Sequence, residues 1–141
     1  MSGYLLDTNC ISELVRPVPE PSVAAWIQAA DESVLYLSVL TLGEIRKGLA
    51  GLPQGRRRTR LETWFAVELR ARFDGRILGI DEGVADRWGL IAAEAQRNGR
   101  TLGVIDGLLA ATVLHYNLTL VSRNVRNFAG TGVPVLSPWD L

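Results

Sequence analysis

The sequence predicts one α/β domain, a central and mostly parallel sheet flanked by helices, and three observations predict it. Five short apolar runs suit strands, helix-length segments lie between most of them, and no repeat, low-complexity tract or composition shift divides residues 1–141. A hydrophobic content of 48% over 141 residues is enough for one continuous core.

The apolar runs at 4–6, 34–37, 77–80, 118–121 and 133–136 are read as strands, and helices are expected over 12–16, 21–30, 42–49, 56–73, 82–98 and 105–116. Gly51-Leu52-Pro53-Gln54-Gly55 separates the third helix from the fourth, and Gly99 stops the fifth. The last helix is apolar nearly all round, with Leu108, Leu109, Ala110, Ala111, Val113 and Leu114, so it belongs in the interior and Asp106 opens a buried helix. The segment 10–30, with Leu14, Val15, Val23 and Trp26, is apolar enough to add to a protein interface, and core packing accounts for it nearly as well.

A single cysteine, Cys10, permits no intramolecular disulfide and no cysteine zinc site, which suits a reducing compartment. Acidic Asp7 precedes any long apolar run and no stretch reaches membrane-spanning length, so the expectation is a cytoplasmic protein with neither signal peptide nor membrane span. Fifteen basic and fifteen acidic residues cancel, so a polyanion must be held by a local patch. Residues 44–76 offer one, with nine basic residues against four acidic, Arg46, Arg57 and Arg58 among them. Arginine, which makes up fourteen of the fifteen cations, presents a planar fork suited to phosphate. A solvated helix surface explains the same zone equally well.

Three carboxylates fall at element boundaries: Asp7 after the first strand, Glu44 after the second, and Asp106 at the start of the buried helix. In an open parallel sheet the carboxyl ends of the strands line one crevice, where ligands gather. Asp7, Glu44 and Ser122-Arg123-Asn124 all belong to that edge, and converging oxygens suit Mg²⁺ or Mn²⁺. Each acid also has an ordinary explanation: Thr41-Leu42-Gly43-Glu44 fits a capping box, and Asp7 and Asp106 suit helix N-termini. Jointly they favour a metal site.

These segments resemble a known family. Leu5-Leu6-Asp7-Thr8-Asn9, the stretch from Ser38 to Gly48, Ile105-Asp106-Gly107-Leu108-Leu109-Ala110-Ala111-Thr112, and Leu120-Val121-Ser122-Arg123-Asn124-Val125-Arg126-Asn127-Phe128 are similar, in order and spacing, to the PIN domains of VapC-type toxins. The resemblance implies hydrolysis of RNA phosphodiesters with Mg²⁺ or Mn²⁺, Asp7 and Asp106 as metal ligands, and Glu44 as a ligand or as the residue holding the attacking water. Thr8, Asn9, Ser122 and Asn124 are then supporting residues, while Arg46, Arg57 and Arg58 of the basic zone, with Arg123, are candidate RNA contacts. The resemblance further implies a homodimer and a cognate VapB-type antitoxin whose C-terminal segment occupies or skirts the acidic groove, with DNA bound only through that antitoxin. Two positions depart from the pattern: Asn124 stands where many PIN domains carry a fourth Asp, and Asn127 where many relatives have an acid. Both lack the charge that would favour a second metal.

His115, the only histidine, lies nine residues after Asp106, half a turn off on the same helix, and is read as structural. Cys10 and the four tryptophans are read as packing. A response-regulator receiver needs a Lys after the last strand, and Lys47 is the only lysine. No Gly-x-x-x-x-Gly-Lys phosphate loop exists, and Asn9 breaks an Asp-x-Asp motif. The rival from another class is a catalytically weak or inactive PIN-like module that binds RNA or protein, with Asn124 and Asn127 as marks of decay.

Overall fold

Tyr4-Leu5-Leu6 sets the frame of the molecule, because its side chains alternate between two separate cores. A computed structural model describes residues 2–141. The strands are β1 (Tyr4–Leu6), β2 (Leu35–Ser38), β3 (Ile77–Leu78), β4 (Thr119–Val121) and β5 (Val135–Leu136). They form one sheet in the order β3-β2-β1-β4-β5, and every neighbouring pair is parallel. Parallel pairing demands crossovers, which the helices supply. They are α1 (Thr8–Leu14), α2 (Pro21–Ala29), α3 (Val39–Ala50), α4 (Arg56–Thr63), α5 (Arg70–Arg72), α6 (Glu82–Arg97) and α7 (Val104–His115). A π-helical segment, Trp64–Leu69, joins α4 to α5, so the expected helix over 56–73 is one rod with a widened middle.

Leu6 and Val121 point into a core with Cys10, Ile11, Val23, Ile27, Phe65 and Phe73 from the helices of the first half. Leu5 and Leu120 point the other way, onto Val84, Ile91, Leu109 and Val113 of α6 and α7. Fully burying a Leu or Phe contributes about 1.5–3 kcal/mol. Both faces of β1 and β4 are buried in this way, so the two central strands cannot slip register by one residue without exchanging their cores. Helix α7 meets α6 closely at Gly107, where a Cβ would stand 3.0 Å from the Trp88 ring. Of the apolar N-terminal segment, Cys10, Val23 and Ile27 are core, and Trp26 meets Tyr4 edge to face. Leu14 and Val15 stay half-buried.

Two helices begin earlier than expected, for one reason. Asp7 accepts a hydrogen bond from the Thr8 backbone N–H at 2.8 Å and caps α1, and Ser38 accepts from Leu40 N at 3.0 Å and caps α3. Each strand therefore passes into its helix with no loop between. The capping box at Thr41 is thereby corrected: Thr41 lies inside α3, and its buried hydroxyl has no partner among the described residues. Glu44 moves to the second turn. Within residues 2–141 no helix is long and apolar enough to cross a membrane.

Candidate active site

The strand order turns back on itself at β1. From β1 the chain builds β2 and β3 to one side, then crosses to lay β4 and β5 on the other. Loops leaving β1 and β4 diverge there and open a crevice at the carboxyl edge. Asp7 leaves β1 and Ser122 leaves β4, directly across that opening.

Asp7 is 6% exposed and fully engaged. Its Oδ1 takes the Thr8 N–H, and its Oδ2 accepts the Ser122 hydroxyl at 2.7 Å. Ser122 Oγ in turn accepts the Asn124 backbone N–H at 3.0 Å. Each residue of Asp7-Thr8-Asn9 thus reaches another element. The Thr8 hydroxyl donates to Glu44 Oε1 of α3 at 2.5 Å, and Asn9 Oδ1 accepts the Arg123 backbone N–H at 3.2 Å. Thr8, Asn9 and Ser122, expected as supporting residues, form the frame that ties β1, α3 and the β4 exit together. The Asn124 side chain is exposed and joins this frame only through its backbone.

Asp106 enters from the other face of the sheet. It sits in the first turn of α7, which Gly103 starts without a side-chain cap. Burial pushes its carboxyl above the ordinary Asp range, and the negative charge of Asp7 adds to the rise. Asn127 works against both, its amide donating to Asp106 Oδ2 at 3.4 Å. The two aspartates therefore face each other as like charges. Glu44 remains on Thr8, and no three Asp, Glu, His or Cys side chains among the described residues are grouped to hold a metal ion. The centre consists of two aspartates whose charges act on one another, with Glu44 tied to it through Thr8.

Beside the pair runs a groove of about 490 Å³, bordered by Thr8, Asn9 and Glu44 at one end and by Trp64 and Trp139 further along. Arg16, Arg57 and Arg123 line it, and the Arg123 guanidinium lies 5.4 Å from the Trp139 ring centroid. The four arginines read from sequence thus divide. Arg57 and Arg123 reach the groove. Arg46 lies over the Phe65 ring, and Arg58 is engaged by Glu62 at 2.6 Å and by the Leu52 carbonyl at 3.0 Å. Arg16 was missed. Its sequence signal is weak, a lone cation in a turn, and it pairs with buried Glu13 at 3.3 Å.

His115 is far from this chemistry, packed over Gly83 with Nε2 3.9 Å from Asp81. The Cys10 thiol donates to the Val121 carbonyl at 3.2 Å, and burial, reinforced by Asp7, pushes it well above the ordinary thiol range. A thiol held neutral is no nucleophile.

An acidic pair at the switch point of a parallel five-stranded sheet defines an α/β protein of the PIN-domain class, and sequence comparison agrees. A family model described as PIN domain matches residues 4–133. VapC ribonuclease Y4jK of Sinorhizobium fredii is 35% identical over 136 residues, 96% of this chain and 97% of its own length. Toxin FitB of Neisseria gonorrhoeae is 37% identical over 135 residues, again 96% and 97%. The crystal structure of FitAcB from Neisseria gonorrhoeae matches with a TM-score of 0.93 at 37% identity, over 98% of this chain and 99% of that one. FitAB bound to an IR36 DNA fragment gives 0.93 at 36% identity, over 98% and 96%. The chain belongs to the PIN-domain family, among its VapC-type toxins.

Proposed function

We propose that the protein is a Mg²⁺- or Mn²⁺-dependent endoribonuclease acting as the toxin of a VapBC-type toxin–antitoxin pair. The observation that carries this reading is the facing pair Asp7 and Asp106, which have no ion pair with Arg, Lys or His among the described residues. Two like charges drawn together without a cation fit a divalent ion, and all-oxygen donors are those Mg²⁺ and Mn²⁺ prefer. Asp7 and Asp106 would hold it, with Glu44 and the Asn124 carbonyl oxygen at the margin. Two carboxylates suffice for an ion that keeps several waters. When bound, the metal would supply Lewis-acid polarisation of the scissile phosphate and a more acidic water.

The chain's own residues do the positioning. Ser122 fixes Asp7 from behind, and Asn127 steadies Asp106. Thr8 occupies Glu44 Oε1, leaving Oε2 as the acceptor for a proton of the attacking water. Arg57 and Arg123 draw phosphates of the strand into the groove. On this reading a cognate VapB-type antitoxin lies in or along this groove, DNA is bound through that partner, and the chain forms a homodimer; the similarity to FitAB, which is bound to a DNA fragment, supports the DNA part.

Asn127 favours one competing reading. It spends its amide on Asp106 where an acid would add charge, as expected of a PIN-like module that binds RNA or protein without turnover. Purified, antitoxin-free protein incubated with a mixed RNA pool and Mg²⁺ or Mn²⁺ separates the two. Cleavage that chelator stops and Asp106→Asn abolishes supports the nuclease. Intact RNA with both metals, from folded protein, leaves the binding module.

A further inference from the structure

The groove with Arg57 and Arg123 is one of two basic surfaces that flank the acids. On the far side of Asp106, between the end of α6 and the turn Val125–Phe128, lies a pocket of about 300 Å³. Arg100, Arg126, Thr101 and Asn127 line it, and no acidic residue among the described ones does. Asn127 belongs to both places, since the same side chain donates to Asp106 Oδ2.

Arg100 is built into this pocket. Its Nη1 donates to the Ala129 carbonyl at 3.1 Å, while its Nε is buried with no hydrogen-bond partner among the described residues. A buried donor left unmatched is costly, so the arrangement calls for an acceptor. The chain also makes room for the guanidinium. Gly130 has φ +77°, and a Cβ there would come 1.4 Å from Arg100 Nη1, so the cation occupies the space a side chain would take. Arg126 is exposed and forms no ion pair among the described residues.

We propose that the pocket between Arg100 and Arg126 is a phosphate subsite, which holds a backbone phosphate of the RNA strand on the opposite side of the acids from Arg57 and Arg123. The RNA part rests on the nuclease reading above; the anion chemistry does not. Two guanidinium groups and a threonine hydroxyl suit a tetrahedral oxyanion, and Asn127 links this opening to Asp106.

The test has two arms. In the first, the Nε–H resonances of the full chain are followed by ¹H–¹⁵N NMR in chelator as inorganic phosphate replaces chloride at constant ionic strength. The Arg100 Nε–H signal should shift saturably, and Arg126→Gln should weaken that response. In the second, a single-stranded RNA is bound to Asp106→Asn protein, which keeps the strand intact. Arg100→Gln and Arg126→Gln should each lower affinity about tenfold at low salt and flatten the slope of log K against log salt by about 0.7. Arg126 is exposed, so its variant keeps the fold if Arg100→Gln does not. An Arg100 signal indifferent to phosphate overturns the subsite, and so does an RNA salt slope unchanged in Arg126→Gln. Phosphate and RNA responses as expected in a protein that cleaves nothing keep the subsite and remove the nuclease.

Discussion

Asp7 and Asp106 face the same space and are held in opposite ways. The β1 end of the site is saturated: Asp7 caps a helix, accepts a buried hydroxyl and is almost inaccessible. The α7 end is sparse: Asp106 lies in the first turn of a helix that has no side-chain cap, and one long contact from Asn127 is its only side-chain hydrogen bond among the described residues. Asp7 therefore serves the fold and the site together, whereas Asp106 is kept for the site at some expense to the fold. Removing the charge at each position should reveal the difference.

The largest effect should come from Asp106→Asn. Cleavage of RNA in Mg²⁺ should fall by roughly 100-fold or more, in line with losing one metal ligand or electrostatic stabiliser. Yet in chelator the variant should melt at or above the wild-type temperature, because burial and the Asp7 charge both oppose ionisation of Asp106. The sign follows from linkage. A carboxyl raised in the folded state binds more protons folded than unfolded, so metal-free wild type loses stability as pH climbs from the ordinary Asp range through the higher folded value. The melting-temperature gap between variant and wild type should open over that window and close below it. A variant that melts well below wild type at neutral pH would show that Asp106 is structural.

Asp7→Ala should lose cleavage to the same degree and, unlike Asp106→Asn, should also lose stability. A missing N-cap costs about 1 kcal/mol, and the stranded Ser122 hydroxyl a further 1 kcal/mol or more. Relief of repulsion with Asp106 offsets part of this. Chemical denaturation should therefore show a loss of about 2 kcal/mol with an unchanged m-value. Equal stability losses for the two aspartates would erase the contrast.

The same contrast marks how far the sequence could be read. Asp7, Glu44 and Asp106 are legible because acids at the ends of strands and the starts of helices declare themselves locally. The bond from Ser122 to Asp7 is not, because it depends on β4 lying beside β1, and strand order is set by which crossovers bury both faces. The starts of α1 and α3 were misread because Asp7 and Ser38 cap helices directly from their strands, leaving no loop residues as a signal. Arg57 and Arg58 are neighbours in one basic run, and only the turn of α4 decides that one faces the groove and the other Glu62. Arg100 carried no motif at all. Its place depends on Gly130, thirty residues away, having no side chain.

A smaller effect should come from Ser122→Ala, which loosens Asp7 without touching its charge. Stability should fall by about 1 kcal/mol, and cleavage by less than in either aspartate variant. Raising the Mg²⁺ concentration should restore much of the activity if Ser122 only aims a ligand. A loss as deep as that of Asp7→Ala, beyond rescue by metal, would assign Ser122 a direct part.

Asn127→Asp should be the mildest change and the one that sharpens the comparison most. It converts the single contact of Asp106 from a donated hydrogen bond into a third negative charge. In chelator the Asp106 carboxyl should rise further, and the protein should lose stability as pH increases through that range, by the same linkage that governs wild type. With Mg²⁺ the order should reverse, since an added carboxylate strengthens binding of a hard cation and binding to the folded state alone raises stability. The decisive quantity is the shift in melting temperature on adding Mg²⁺, which should be larger in Asn127→Asp than in wild type and near zero in Asp106→Asn. Equal shifts in all three proteins would mean that the ion does not sit between Asp7 and Asp106, and the sparse end of the site would need another explanation.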